Sequence, residues 1–166
     1  WYLVREGAKY VSKDVILPVS NKERGRLRRE NSDEYYLIGL CNEILNEKAS
    51  HQHTFKDILG DYHRDGKTRT ALPIDAYYPN LNMAIELYVK EDETSENAQL
   101  PTISNVSRSE QRKKYALRKR EMLKEKQIDL IEMDYDEFEC DIEGKLLRKK
   151  EADVKLLKDI LKEFIK

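Results

Sequence analysis

The chain has 166 residues, 38% of them charged, and a formal net charge of −1. This length predicts one domain with a single hydrophobic core. The two cysteines, Cys41 and Cys140, are too few for a disulfide framework and too widely spaced for a zinc site. No apolar run is long enough to cross a membrane, and we therefore expect a soluble, cytoplasmic protein that does not associate with membranes.

The charges are distributed unevenly along the chain. Residues 22–29 and 108–126 are rich in lysine and arginine, whereas residues 129–143 carry acids and no base. Basic patches of this kind attract polyanions, although each patch is also consistent with a solvated helix face. Residues 1–30 are predicted to form an N-terminal arm or short strands. Within them, the basic stretch around Gly25 is predicted to be a linker or the turn before a helix.

A helix is predicted to begin at Asn31 or Ser32, either of which can cap its N-terminus. Its apolar residues recur at helical spacing up to residue 45. Glu34 lies in line with this apolar stripe, whereas Glu43 points to the opposite side. Glu34 therefore either has a functional partner or simply complements the positive end of the helix dipole, and both interpretations stay open.

The segment that follows, residues 49–69, is polar and contains a turn signal at Asp65 and Gly66. Two of its three histidines, His51 and His53, are spaced to bind a metal from one face of a strand. Nothing nearby in the sequence completes such a site. We therefore expect a loop or a solvent-facing role for both histidines.

Two strands are predicted at residues 69–77 and 81–89, with the turn-forming Pro79 and Asn80 between them. One strand carries Asp75 and the other carries Glu86. If the strands pair as a hairpin, the two carboxylates come together on a rigid sheet. Two such acids can bind a divalent metal, and a metal can drive phosphodiester hydrolysis.

The remaining segments complete a mixed α/β pattern. Residues 90–107 predict a loop, and a helix follows over residues 107–126, where Ser107 and Glu110 fit a capping box. Residues 128–135 predict a strand, and residues 152–166 an amphipathic C-terminal helix. The fold class is therefore α/β, with a mixed central sheet flanked by helices. We assign residues 1–30 to the arm, 31–143 to the core and 144–166 to a C-terminal helix that packs on the core.

This order of elements resembles the PD-(D/E)xK superfamily of restriction endonuclease-like nucleases. The resemblance covers residues 33–138: a helix with an acid, a strand with Asp, a strand with Glu, a helix and a strand. Leu-Pro-Ile-Asp-Ala-Tyr-Tyr at residues 72–78 and Ala-Ile-Glu at 84–86 resemble the first half of the motif. Residues 107–120 and 128–133 are similar to the helix and strand that follow it in small bacterial members.

The resemblance implies a restriction endonuclease-like core and a role for each matching residue. Asp75 and Glu86 would hold Mg²⁺ or Mn²⁺, with Glu34 as a third acid. The motif expects Lys two residues after the Glu, but that position is Tyr88, so the catalytic cation would be Lys90 or a residue of the following helix. The Gln-His pair expected shortly afterwards is replaced by Glu91 and Asp92. The residues that would contact DNA are Arg108, Gln111, Arg112, Lys119 and Tyr88.

Three functions stay open at this point. The first is a metal-dependent endonuclease, a hydrolase that cuts DNA phosphodiester bonds. The second is a nucleic-acid-binding module on the same fold that has lost catalysis, and it is motivated by Tyr88. The third is a structural or interaction protein with the C-terminal helix as a docking surface. DNA is the expected partner, and a homodimer stays open.

Overall fold

The computed structural model describes residues 8–12, 15–18, 20–90 and 95–166. The fold is mixed α/β, as the sequence predicts, with a four-stranded mixed sheet and helices. No helix in the described ranges is both long enough and apolar enough to span a bilayer. The elements are β1 (Ala8–Ser12), β2 (Val15–Pro18), α1 (Asn21–Glu30), α2 (Asp33–Leu45), β3 (Ser50–Tyr62), β4 (Arg69–Tyr78), β5 (Met83–Tyr88), α3 (Glu96–Gln99), α4 (Arg108–Glu125), β6 (Asp129–Asp134) and α5 (Lys150–Ile160).

The N-terminal part of the chain corrects one prediction. β1 and β2 form the predicted short strands and pair antiparallel, but the basic stretch is helix α1 rather than a linker or turn. Ser20 caps α1, since its hydroxyl accepts a hydrogen bond from the Glu23 amide at 3.1 Å. Arg26 lies near acids on adjacent turns of the helix. Most residues of α1 are also good helix formers. Gly25 lies within this exposed helix, where glycine costs about 1 kcal/mol relative to alanine without breaking the helix.

The predicted helix at residues 31–45 is confirmed as α2, which Ser32 caps. Its apolar face buries Leu37, Ile38, Leu40, Cys41 and Leu45. Cys41 is fully buried, as expected of a small apolar side chain. α5 packs on this face and buries Leu157 and Leu161 there.

The prediction of a loop or a solvent-facing role for His51 and His53 is wrong, because both lie in strand β3, which forms most of residues 49–69. β3 pairs antiparallel with β4 over its whole length, with irregular register beyond Thr54. Both histidines are half-buried in this strand rather than solvent-facing. His51 stacks on Tyr35 with 4.0 Å between ring centroids, and His53 packs beside Tyr77 at 4.8 Å. Backbone pairing with β4 therefore holds a strand that its polar composition does not indicate.

The main sheet has the order β3-β4-β5-β6. β4 pairs antiparallel with β3 and β5, whereas β5 and β6 are parallel and are connected through α4. Helix α4 begins with the predicted capping box, in which Ser107 and Glu110 exchange hydrogen bonds. The loop predicted at residues 90–107 contains the short helix α3.

Two apolar clusters cover opposite faces of β5. Met83, Ile85 and Leu87 belong to the α2-side cluster, which also contains the buried faces of α2 and α5. Ala84 belongs to the α4-side cluster, which also contains Ile58, Leu72, Ile74, Leu123 and Ile128. Residues 83–87 are consequently all buried, and β5 is a central strand with no solvent-facing side.

Candidate active site

The two predicted carboxylates lie where β4 and β5 diverge. Paired residues end with Ala76 and Ile85, and Asp75 and Glu86 are the next residues on the two strands. The Asp75 amide donates to Glu86 Oε1 at 2.9 Å, and the Leu87 amide donates to Asp75 Oδ2 at 2.8 Å. Each carboxylate therefore satisfies a backbone amide of the opposite strand, which fixes both acids at the point of separation.

Glu86 lies on the α4 side of the sheet in a largely dry environment. Only 3% of the residue is exposed. Burial raises the pKa of Glu86, and the nearby negative charge of Asp75 raises it further, whereas Lys119 opposes both effects. A buried acid with a raised pKa next to a second carboxylate is characteristic of functional sites.

Lys119 supplies the positive charge at this site. Its Nζ lies 3.1 Å from Glu86 Oε2, and the side chain is only 16% exposed. The residue projects from α4, one of the helix positions named in the sequence analysis. The alternative, Lys90, lies past the end of β5 with an exposed side chain. In the described part of the chain, no hydrogen bond or ion pair joins Lys90 to Asp75 or Glu86. The Glu91 and Asp92 positions lie outside the described residues.

Glu34 reaches the site through a residue that the sequence analysis did not single out. Gln52 Nε2 donates to Glu34 Oε1 at 2.7 Å and to Asp75 Oδ1 at 3.1 Å. Burial raises the pKa of Glu34 and the charge of Asp75 adds to this effect, whereas the hydrogen bond from Gln52 lowers the pKa. The predicted third acid is thus linked to Asp75 by an amide. We call Glu34, Gln52, Asp75, Glu86 and Lys119 the carboxylate site.

Gln52 has an unusual backbone for a residue inside a strand. Its φ is +48°, in the left-handed region. The side-chain direction reverses here, because His51 packs on α2 and His53 packs beside Tyr77 of the α4-side cluster. β4 reverses at the same row, since Ile74 belongs to the α4-side cluster and Ala76 to the α2-side cluster.

Tyr88, in the position where the motif expects Lys, belongs to a neighbouring group. Its hydroxyl is buried and has no hydrogen-bond partner of good geometry among the described residues. Burial raises the pKa of Tyr88, and the adjacent Glu132 carboxylate raises it further. Arg120 binds Glu132 in a bidentate pair at 2.7 to 2.9 Å. Tyr88 therefore faces the Arg120–Glu132 pair, and it does not supply the positive charge beside Glu86 that a lysine at this position would supply.

Asp75, Glu86 and Lys119 of the carboxylate site line an open cleft of about 1030 Å³. β4, β5, β6 and α4 form its walls. Its lining contains both acids and bases, namely Asp75, Glu86, Glu132, Asp134, Arg112, Lys113, Lys119 and Arg120. Arg112, Lys119 and Tyr88 of the predicted DNA contacts line the cleft. Arg108 is exposed and donates to Asn97 at 2.7 Å, and Gln111 is half-buried; neither lines the cleft.

The donor set is suited to a hard divalent cation. Asp75 and Glu86 present carboxylate oxygens, the ligands that Mg²⁺ and Mn²⁺ prefer. Each of these oxygens accepts one hydrogen bond and has a second lone pair for a metal. Within the described ranges, no three His, Cys, Asp or Glu residues converge as a metal-binding group. A cation held by Asp75 and Glu86 would therefore complete its coordination largely with water.

The sequence contains one signal that could have identified Gln52. In residues 51–56, the ring side chains of His51, His53 and Phe55 alternate with Gln52, Thr54 and Lys56, and this period of two indicates a strand that would include Gln52. Comparison of the chain with protein-family models, with curated proteins and with solved structures found no match.

Proposed function

We propose that this chain is a metal-dependent endonuclease that hydrolyses DNA phosphodiester bonds on a restriction endonuclease-like core. The observation that carries this proposal is the convergence of Asp75, Glu86 and Lys119 in an open cleft. The three residues come from β4, β5 and α4, and an acid-bearing helix, α2, precedes them. This order agrees with the resemblance found in the sequence.

Asp75 and Glu86 would hold Mg²⁺ or Mn²⁺. Such an ion, when bound, polarises a phosphate oxygen and lowers the pKa of an attacking water. The backbone amides of Asp75 and Leu87 keep the two carboxylates oriented, so little reorganisation is required on binding.

Lys119 would take the role of the lysine that the motif expects at position 88. It reaches Glu86 from α4 rather than from the strand. A fixed positive charge beside the metal ligands stabilises negative charge that develops on the phosphate in the transition state. Arg112, Lys113 and Arg120 lie along the same cleft, where they can contact backbone phosphates without reading base sequence.

The first experiment is a cleavage assay with plasmid and single-stranded DNA in Mg²⁺, Mn²⁺ or EDTA. We expect cleavage that requires the metal and is lost in Asp75→Ala, because that substitution removes a metal ligand. Lys90→Ala is the matched control and should cleave like the unaltered chain. Cleavage that persists in EDTA or in Asp75→Ala would contradict the proposal, provided that circular dichroism confirms that the variants are folded.

A second function is favoured by Tyr88 alone. An uncharged side chain stands in the lysine position, and its hydroxyl faces Glu132. If Lys119 does not compensate for the missing charge, the domain would bind nucleic acid without cutting it. Salt-sensitive DNA retention with no cleavage in any divalent metal would favour this inactive module.

A further inference from the structure

Resting on the function proposed above, we infer that Gln52 limits the carboxylate site to one divalent cation, because its amide occupies the place between Glu34 and Asp75 where a second cation would bind. Gln52 Nε2 lies within 3.1 Å of oxygens from two carboxylates on different elements.

The orientation of this amide follows from its neighbours. A carboxylate only accepts hydrogen bonds, so the NH₂ group must face both acids and the amide oxygen must point away. The nitrogen has two protons and donates one to each acid. It therefore satisfies Glu34 and Asp75 together, as a bridging cation otherwise would, but without adding a positive charge.

The backbone of Gln52 departs from regular strand geometry at the point where its amide meets the two acids. Gln52 keeps a φ of +48° in the middle of β3, although glycine, asparagine and aspartate adopt the left-handed region more readily. Strained residues of this kind persist where the surrounding structure requires them and are concentrated at functional sites. Here the strain accompanies the reversal of side-chain direction opposite Asp75, where Gln52 meets both acids.

The arrangement of acids agrees with a single ion. Asp75 and Glu86 are joined through backbone amides at the end of the β4–β5 pairing, whereas Glu34 approaches only through Gln52. In the described residues the three acids do not form one metal-binding group. A cation bridging Glu34 and Asp75 would need both oxygens at about 2.1 Å, and it would have to displace the amide nitrogen.

The test counts bound Mn²⁺ on the full chain, by electron paramagnetic resonance of the free ion and by titration calorimetry. The unaltered protein should bind one Mn²⁺. Gln52→Gly and Gln52→Ala should bind two, because Glu34 and Asp75 then face each other with nothing between them. Gln52→Gly also removes the backbone strain at a φ of +48°, so it should melt at a higher temperature than Gln52→Ala. The double variant Gln52→Gly with Glu34→Gln should return to one.

The outcomes show whether the role of Gln52 fails alone or together with the proposed metal site. Two ions in the unaltered chain, or one ion in folded Gln52→Gly and Gln52→Ala, would overturn the role of Gln52. Loss of the single ion in Asp75→Ala would at the same time support the metal site. If the unaltered chain binds no Mn²⁺, or if Asp75→Ala binds as well as the unaltered chain, the proposed function fails and the role of Gln52 fails with it.

Discussion

Helix α4 forms two neighbouring ion pairs with a single row of the sheet, and the two differ mainly in burial. Lys119 pairs with Glu86 on β5, and Arg120 pairs with Glu132 on β6. The two acids are register partners in the parallel ladder. The side chains of the first pair are 16% and 4% exposed, whereas those of the second are 48% and 31% exposed.

The pKa shifts of the two acids have opposite directions. The pKa of Glu86 is raised, because burial and the charge of Asp75 outweigh Lys119. The pKa of Glu132 is lowered, because the hydrogen bonds from Arg120 outweigh partial burial. The two ion pairs of α4 thus differ in their acids. Glu86 at the cleft has a raised pKa, whereas Glu132 has a lowered pKa and forms an ordinary surface ion pair.

The largest expected difference between the pairs is in cleavage. Lys119→Ala should reduce metal-dependent DNA cleavage by about 100-fold or more, since it removes a fixed charge beside the reacting phosphate. Arg120→Ala should reduce the cleavage rate by less than about 10-fold, because it removes one phosphate contact. Initial rates of plasmid nicking at saturating Mg²⁺ would measure both effects.

Lys119→Gln is the control for the charge, because it keeps a hydrogen-bond donor near Glu86. It should lose activity to the same extent as Lys119→Ala. Equal losses of cleavage rate in Lys119→Ala and Arg120→Ala would show that the difference in burial between the two pairs does not affect catalysis.

The pairs should also differ in how folding stability depends on pH when EDTA is present. The folded-state pKa of Glu86 lies above its ordinary value of 4.5. The contribution of Glu86 to the free energy of unfolding therefore falls as pH rises from about 4.5 through the raised pKa. The pKa of Glu132 is lowered, so its contribution is present above pH 4.5 and is lost as pH falls through the lowered pKa.

Urea unfolding across this pH range would measure these slopes. Glu86→Gln should make the protein relatively more stable at neutral than at acidic pH, and Glu132→Gln should do the opposite. The same sign of change in both variants would contradict the assignment of the two pKa shifts.

The sequence predicts most elements of the fold, because several of them have local signals. α2 and α4 have N-terminal caps, and β5 follows the Pro79 turn. β3 has no strong apolar pattern, and it is held mainly by its pairing with β4. α1 buries no side chain, so its helical state rests on local preferences that the presence of Gly25 obscured.

The candidate site is predictable only in part, for a physical reason. Strict alternation would place Leu72, Ile74, Ala76 and Tyr78 on one face of β4, but the direction reverses at Asp75. This reversal accompanies the left-handed backbone of Gln52, which residue types do not predict. The sequence offers several candidate cations, and the choice of Lys119 among them depends on how α4 packs on the sheet.

The smallest expected effect is the contribution of the exposed pair to stability. A double-mutant cycle of Arg120→Ala and Glu132→Gln should give a coupling energy of about 0.2–1 kcal/mol. That energy should decrease between about 0.1 M and about 1 M NaCl, because exposed charges are screened. The same cycle for Lys119→Ala and Glu86→Gln should give a larger coupling energy with a weaker dependence on salt, since water and ions have little access to this pair. If the exposed pair couples more strongly than the buried one, burial does not determine the difference between the two ion pairs of α4.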